Sequence, residues 1–361
     1  MTNTMLRVAY RDICSGLAML FLGAVLVFGA AAGSAHAQQA GGVPGAAPGY
    51  NIEFWRAVRG GVEGTVSIPD KKAGILVQAE GDTWRSWRNG PVSKYGGWAL
   101  LGILVLLLAF FFIRGRVWID AGPGKRRIKR FGTMERFGHW LIASSFIVLA
   151  VTGLNMLYGR AVIRPTLGPE VFSALTLAGK YLHTYLAFAF IAGMVVIFVM
   201  WVRENLPDRG DLNWILKGGG LFIKGSHPPA RKFNFGQKVI FWVVILGGLS
   251  VTLSGLSLMF PFQLPMFAKT FAALNIFGLG LPTDLTVLQE MQFAQVWHAV
   301  AALALIVIMI AHIYIGTLGM EGAFDAVASG EVDENWAKEH HSLWVAEMKK
   351  GGTDAGMAPA E

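Results

Sequence analysis

Five long stretches of this 361-residue chain contain no charged side chain. They span residues 97–113, 139–158, 181–202, 239–262 and 293–320. A helix needs roughly 20 apolar residues to cross the 30 Å hydrocarbon core of a membrane, and each stretch is about that long. The composition agrees, because 54% of the residues are hydrophobic and only 15% are charged. We therefore expect an all-α integral membrane protein with five spanning helices.

A further apolar run, residues 16–32, has the form of a signal peptide. It follows Arg7 and Arg11 and precedes the small-x-small sequence Ala35-His36-Ala37. Such a pattern predicts cleavage after Ala37, with an uncleaved anchor as the alternative. The predicted organisation is a signal peptide (1–37), a periplasmic segment (38–96), an extra transmembrane helix (97–113), a four-helix transmembrane domain (130–320) and a cytoplasmic tail (321–361).

Cysteine usage excludes several cofactors. The single cysteine, Cys14, lies in the predicted signal peptide. The mature chain would then have no thiol for a disulfide, a cysteine-ligated iron–sulfur cluster or a covalently attached c-type haem. Any such group must belong to a partner.

The distribution of basic residues predicts the orientation. Residues 114–136 contain eight Lys and Arg and residues 203–238 contain seven, whereas the connection after Phe262 contains only Lys269. Because basic loops stay in the cytoplasm, the first two segments should be cytoplasmic. The alternation of the spans then places residues 38–96 in the periplasm and the tail in the cytoplasm. The net charge of +8 is thus a topology signal, not a nucleic-acid-binding surface.

Four histidines lie near the ends of the apolar runs: His139, His183, His298 and His312. His298 and His312 are fourteen residues apart, so on one helix they would be separated by roughly 21 Å and face the same side. The orientation places His139 and His312 near the cytoplasmic surface and His183 and His298 near the outer surface. The depths predict two pairs, His139 with His312 and His183 with His298.

Each pair can provide the two axial nitrogens of one haem b iron. Bis-histidine iron has no open position for a substrate, which suits electron transfer. The alternative is that each histidine is an interfacial or packing residue, but ionisable groups inside membranes usually have a function. His227, His340 and His341 lie outside the apolar runs and are predicted to be solvated or to face a partner.

Several longer motifs resemble the cytochrome b (gamma) subunit of respiratory formate dehydrogenase over residues 130–350. They are RFGTMERFGHW, GKYLHTYLAF, RENLPD, KFNFGQK, WHAVAALALIVIMIAH and the tail MEGAFDAVASGEVDENWAKEHHSLW. The signal peptide, exported segment and extra helix depart from the compact family pattern and indicate an N-terminally extended form.

The resemblance implies a dihaem bundle in the bacterial inner membrane that docks to an iron–sulfur (beta) subunit and a molybdenum or tungsten catalytic (alpha) subunit. It also implies that electrons reduce a quinone beside the cytoplasmic haem, near Asn234, Gly236 and Gln237. Amide groups at 234 and 237 can donate to quinone oxygens. The residues themselves leave a second interpretation open, in which Asn234 is a helix N-cap, and the two roles can coexist.

Three other functions compete with this one. The cytochrome b anchor of a nickel–iron hydrogenase or of a sulfur-compound reductase shares the histidine layout, but should lack the KFNFGQK segment and the WAKEHH tail. A proton-coupled transporter would place acidic residues inside the membrane, and the five runs contain none. A purely structural anchor would not need four histidines matched in depth.

Overall fold

The computed structural model of the protein describes residues 78–223, 225–350 and 357–359. The predicted signal peptide and most of the predicted periplasmic segment lie outside the described residues. Four helical runs within them are long and apolar enough to cross a membrane. These runs are Thr83–Arg114, Thr133–Trp201, Phe235–Met259 and Val287–Gly319. The predicted all-α integral membrane fold is confirmed.

The first run consists of α1 (Gln78–Trp87), a π-helical turn (Arg88–Val92) and α2 (Ser93–Arg114). The predicted span 97–113 lies in α2, and the helix extends further towards the N-terminus than the apolar run does. The Tyr158 hydroxyl donates to the carbonyl of Ser93, and Arg88 donates to the carbonyl of Met156. These bonds attach the start of the extra helix to the bundle.

The second run, α3 (Thr133–Trp201), contains two spans because the chain reverses inside it. Gly168 has a φ of 86° and a ψ of 165°, which no helical residue adopts. The two limbs, 133–167 and 169–201, then pack antiparallel: Phe146 lies against Phe190, and the Trp201 indole donates to Glu135. The predicted spans 139–158 and 181–202 occupy one limb each, so the four runs provide five crossings.

The remaining spans are α5 with α6, and α8. A short helix, α4 (Arg209–Leu216), precedes α5 (Phe235–Trp242), which continues through a π-helical turn (Val243–Gly247) into α6 (Gly248–Met259). Next come α7 (Met266–Leu274) and α8 (Val287–Tyr314), which ends in another π-helical turn, Ile315–Gly319. The extra helix α2 packs on α8 through Leu100, Leu303 and Ile306.

The polar segments at one end of the bundle fold together into a structure that we call the cap: residues 115–132, 202–223, 225–234 and 320–350. Strand β1 (Arg126–Lys129) pairs antiparallel with β2 (Glu331–Asp333) on one side and β3 (Met357–Pro359) on the other. The tail adds α9 (Asp325–Ala328), α10 (Glu334–His340) and α11 (Ser342–Lys350). The tail also contacts the connection after α2, since the Glu339 carboxylate accepts from the amides of Asp120 and Ala121.

Candidate functional site

Two of the predicted histidines face each other at the end of the bundle away from the cap. His183 comes from the second limb of α3 and His298 from α8. Their ring centroids are 6.1 Å apart and the ring planes are inclined by 66°. We call them the cap-distal pair.

A hydroxyl group fixes the tautomer of His183. Thr152, on the first limb of α3, donates its one hydroxyl proton to the carbonyl of Val148 at 2.7 Å. Its oxygen lies 2.9 Å from Nδ1 of His183 and, with the hydroxyl proton on the Val148 carbonyl, accepts there. The proton of His183 is thus on Nδ1, and Nε2 keeps its lone pair.

His298 is held in the same way by α6. The hydroxyl of Ser254 donates to the carbonyl of Ser250 at 2.9 Å, and its oxygen lies 3.0 Å from Nδ1 of His298. Both members of the pair therefore present an unprotonated Nε2, which is the form of imidazole that binds a metal.

A glycine follows each hydroxyl residue and leaves room for the ring. A Cβ atom added at Gly153 would lie 3.4 Å from Cε1 of His183, and one added at Gly255 would lie 3.4 Å from Cε1 of His298. Four helical segments therefore meet at this level, two contributing histidines and two contributing a hydroxyl–glycine pair. Sequence reasoning missed the second set, although the repeated tripeptides Thr152-Gly153-Leu154 and Ser254-Gly255-Leu256 could have revealed it.

The cap-distal pair fits a haem iron. An imidazole–metal bond is about 2 Å long, so two opposed rings 6.1 Å apart leave space for one metal atom between their nitrogens. No group of three or more His, Cys, Asp or Glu in the described part of the chain could hold a bare metal ion. Two imidazoles suffice only when other donors come with the cofactor, as the macrocycle of haem provides.

The other two histidines are also brought together, nearer the cap. His139 lies in the first turns of α3 and interacts electrostatically with His312, near the end of α8. Nδ1 of His139 is buried and has no hydrogen-bond partner among the described residues. Leaving such an atom unpaired typically costs about 1–3 kcal/mol, and no hydroxyl group among the described residues holds this ring as Thr152 holds His183. We call His139 and His312 the cap-proximal pair.

The segment predicted to contact quinone starts α5. Asn234 is its N-cap: the Asn234 side-chain oxygen accepts from the Gln237 amide at 2.9 Å, and the Gln237 side-chain oxygen accepts from the Asn234 amide at 3.0 Å. This reciprocal capping box uses both amide oxygens and leaves both NH₂ groups as donors. Gly236 lets the Trp214 ring approach, because an added Cβ would lie 3.0 Å from it. The helix-cap interpretation of Asn234 is thus correct.

A groove of about 520 Å³ runs beside this segment between α5, α6 and α8. Its walls are mostly apolar and include the small residues Ala301 and Ala304. At its cap end the buried ammonium group of Lys238 contacts Asp208 at 2.8 Å and Asp211 at 2.9 Å. The sequence did not predict this buried ion cluster, because Lys238 is the last of the seven basic residues in segment 203–238 and nothing in the sequence distinguishes it from the others.

Of the remaining histidines, His227 is exposed as predicted, but the two in the tail are not. His341 is completely buried and its Nδ1 donates to the carbonyl of Arg231 at 2.7 Å. Nε2 of His340 is buried too, and its ring lies 5.9 Å from that of His227. The prediction that these two tail histidines are solvated or face a partner is wrong, because the tail folds back onto the cap.

Comparisons with known proteins agree with the histidine-bearing bundle. The family described as prokaryotic cytochrome b561 matches residues 130–329. The cytochrome b556(fdo) subunit of formate dehydrogenase from Escherichia coli K12 is 29% identical over 230 residues, covering 63% of this chain and 96% of that protein.

Two further relatives carry similar names. The nitrate-inducible formate dehydrogenase cytochrome b556(Fdn) subunit of the same organism is 25% identical, over 62% of this chain and 93% of its own. The formate dehydrogenase cytochrome b556 subunit of Haemophilus influenzae is 24% identical, over 61% and 83%. The resemblance found in the motifs is confirmed, and the chain belongs to the prokaryotic cytochrome b561 family of membrane proteins.

Proposed function

We propose that this protein is the membrane dihaem cytochrome b subunit of a formate dehydrogenase complex. It would take electrons from an iron–sulfur subunit on the outer side and pass them across the membrane to a quinone near the cytoplasmic side. The observation that carries the proposal is the pairing of His183 with His298, whose ring centroids are 6.1 Å apart and whose Nδ1 atoms each lie within 3.0 Å of a hydroxyl oxygen. The electron-donating complex is inferred from the names of the relatives, which are subunits of formate dehydrogenases.

Family membership implies haem b, which supplies a one-electron carrier when it is bound. His183 and His298 would hold one haem and His139 and His312 the other. The two ligands on α8 are separated by roughly 21 Å along the helix, so the pairs would lie near opposite surfaces. With two histidines for each haem, the chain's own role would be to hold the two carriers and exclude other ligands.

The proposed orientation places the cap in the cytoplasm of a bacterium and the loop around α7 outside its inner membrane. The cap is built from the two basic connections and the tail, whereas the loop 260–286 contains a single Lys269. Positive residues favour the cytoplasmic side. The iron–sulfur and molybdenum- or tungsten-containing subunits would then bind at the α7 end, nearest His183 and His298.

The proposed quinone site lies at the start of α5. The capping box supports it, because the oxygens of Asn234 and Gln237 are engaged and their NH₂ groups remain to donate to a quinone carbonyl. The groove beside Lys238 would admit the apolar part of the molecule from the membrane. Reduction at this side would take up protons from the cytoplasm.

The test of the function is a reduced-minus-oxidised difference spectrum of the purified complex. Formate should reduce two haems b, and added quinone should reoxidise both. His312→Ala should remove one haem and abolish quinone reduction while formate oxidation with an artificial dye continues. Reduction by hydrogen but not formate would assign the chain to a hydrogenase, and quinone reduction by the variant would refute the proposed order of the haems.

The quinone site can be tested separately with Gln237→Glu. A glutamate at position 237 still accepts from the amide of Asn234, so the capping box of α5 survives, but the NH₂ donor is lost. We expect quinone reduction to fall roughly 10-fold with unchanged haem content and dye-linked activity, because one hydrogen bond to the substrate disappears. Gln289→Glu, at the same position of the Thr286 capping box of α8, is the matched control and should have no effect.

A further inference from the structure

A polar cavity of about 340 Å³ opens where the extra helix α2 leaves the membrane. Arg114, the last residue of α2, and Arg116 line it, together with His227 and His340 from other parts of the cap. The Arg114 Nε group donates to the carbonyl of Leu221 at 2.7 Å, which attaches the loop 218–226 to the end of α2. The end of the extra helix thus forms part of the cavity wall.

The cavity has an excess of positive charge. Its one acidic residue, Asp120, is already paired with Nε2 of His227 at 3.0 Å. The Arg116 guanidinium lies 4.9 Å from the centre of the Trp118 ring. Nε2 of His340 is buried at the cavity wall and has no hydrogen-bond partner in the described structure. The two guanidinium groups that line the cavity suit the oxygens of a phosphate group.

Exposed apolar side chains are neighbours in the chain of the residues that line the cavity. Ile113 is 87% exposed and Phe112 77% exposed at the end of α2, and Phe222 is 70% exposed on the adjoining loop. Phe222 packs edge-to-face on Phe110, with ring centroids 6.0 Å apart, so the loop lies at the depth of the last turns of α2. A molecule bound in the cavity would therefore have a charged site at the membrane surface and an apolar surface beside it.

We propose that this cavity binds the phosphate headgroup of an anionic phospholipid, with its acyl chains against Phe112, Ile113 and Phe222. The bound lipid joins the extra helix to the cap. Basic residues at a membrane surface each strengthen the binding of anionic lipid about fivefold, which gives two arginines a measurable effect. The site is independent of the haems and of the electron donor, and does not rest on the proposed function.

The experiment uses the full-length protein, purified in detergent and titrated with single lipids while bound lipid is counted by native mass spectrometry. Phosphatidylglycerol should bind at one preferred site more tightly than phosphatidylethanolamine does. Arg116→Gln should weaken that site about fivefold. This variant keeps the bond from Arg114 to Leu221, so it tests the charge without detaching the loop.

The matched control is Lys125→Gln with Lys129→Gln, which removes two exposed positive charges from the same side of the membrane. It should leave the preferred site unchanged, and Arg116→Lys should restore part of the affinity. An equal loss in the control would mean diffuse surface attraction and would overturn the proposal. So would equal binding of phosphatidylethanolamine, or occupation of the cavity by inorganic phosphate that prevents lipid binding.

Discussion

At the scale of single residues, the two histidine pairs differ in what holds their rings. In the cap-distal pair, Thr152 and Ser254 accept from the Nδ1 groups of His183 and His298. In the cap-proximal pair, Nδ1 of His139 has no partner in the part of the chain that the structure describes. Hydrogen bonding at Nδ1 makes the other nitrogen a stronger ligand. A haem at the cap-distal pair should therefore have the lower reduction potential, which would favour the proposed flow of electrons towards the cap.

Replacing Thr152 with valine tests this difference, since valine keeps the shape of the side chain and removes the hydroxyl. We expect the potential of one haem to rise and its affinity to fall roughly 10-fold, because loss of an outer hydrogen bond costs about that much at metal sites. Redox titration followed by absorbance separates the two haems. Thr166→Val is the control: this exposed threonine makes the same bond to a carbonyl four residues back but touches no histidine. A uniform shift of both haems would contradict the assignment.

The histidines themselves could be predicted because an ionisable residue stands out in an uncharged run and its depth follows from helix geometry. The hydroxyl residues could not be singled out by the same logic, since Thr and Ser are ordinary in membrane helices. Only the repeated hydroxyl–glycine–leucine sequence at 152–154 and 254–256 distinguishes them. The sequence could not decide whether Asn234 is a helix N-cap or contacts a quinone. In the structure the capping box engages only the side-chain oxygens of Asn234 and Gln237 and not their NH₂ groups.

At the scale of elements, Gly168 decides how α3 folds. Its φ of 86° with a ψ of 165° is a combination that essentially only glycine adopts. Pro165 and Pro169 lie close to it on either side, and proline residues inside a helix also favour a break at this point. The reversal brings His183 back beside Thr152 and is thus required for the cap-distal pair.

Gly168→Ala should destabilise the protein by about 1–3 kcal/mol. The cost is backbone strain alone, because the nearest atom to an added Cβ is a Glu170 oxygen at an ordinary contact distance of 3.5 Å. Thermal loss of helical circular dichroism measures the change. Gly102→Ala is the control, since Gly102 is helical and an added Cβ would meet nothing within 4 Å. Equal melting temperatures for the two variants would show that the reversal does not depend on Gly168.

The sequence located the spans but not the full helices around them. Hydropathy detects only the part of a helix that contacts lipid. The first predicted span in α3 therefore ends at residue 158, and the second begins at residue 181. The structure continues both limbs to Gly168, because residues 159–167 and 169–180 retain helical backbone outside the apolar stretches. The same reason explains why α1 and the start of α2 were assigned to the exported segment.

At the scale of the whole molecule, Arg130 holds the parts of the cap together. Its guanidinium lies 5.1 Å from the Trp344 ring centre and 5.3 Å from that of Trp336, both in the tail, and donates to the carbonyl of Lys232. Burial lowers the pKa of Arg130 to about 9, with Glu135 raising it, so the group remains charged at neutral pH. The sequence could not predict these contacts of Arg130, which stands there in a basic run. Trp336 and Trp344 lie about 200 positions further along the chain, so the contacts leave no local sequence pattern.

The two buried histidines make the cap sensitive to acid. Burial lowers the pKa of His340 to about 4, with the charges of His227 and Arg130 lowering it and Asp120 raising it. Burial likewise holds the pKa of His341 well below its usual range, helped by Arg130 and opposed by the bond to the Arg231 carbonyl. Both rings are neutral in the folded cap and bind protons once it opens, where their pKa is about 6.5.

The cap should therefore lose stability as the pH falls from about 6.5 towards 4, because the open state then binds more protons than the folded one. For His340 alone the loss at pH 5 is roughly 2 kcal/mol, from the difference between about 6.5 and about 4 in its pKa. Hydrogen–deuterium exchange of residues 342–350, corrected for intrinsic exchange, should increase over this range. His341→Asn retains a donor for the Arg231 carbonyl but cannot titrate, so its exchange should depend less on pH. If the variant and the parent protein showed the same dependence, His341 would not be the group that couples protonation to release of the tail.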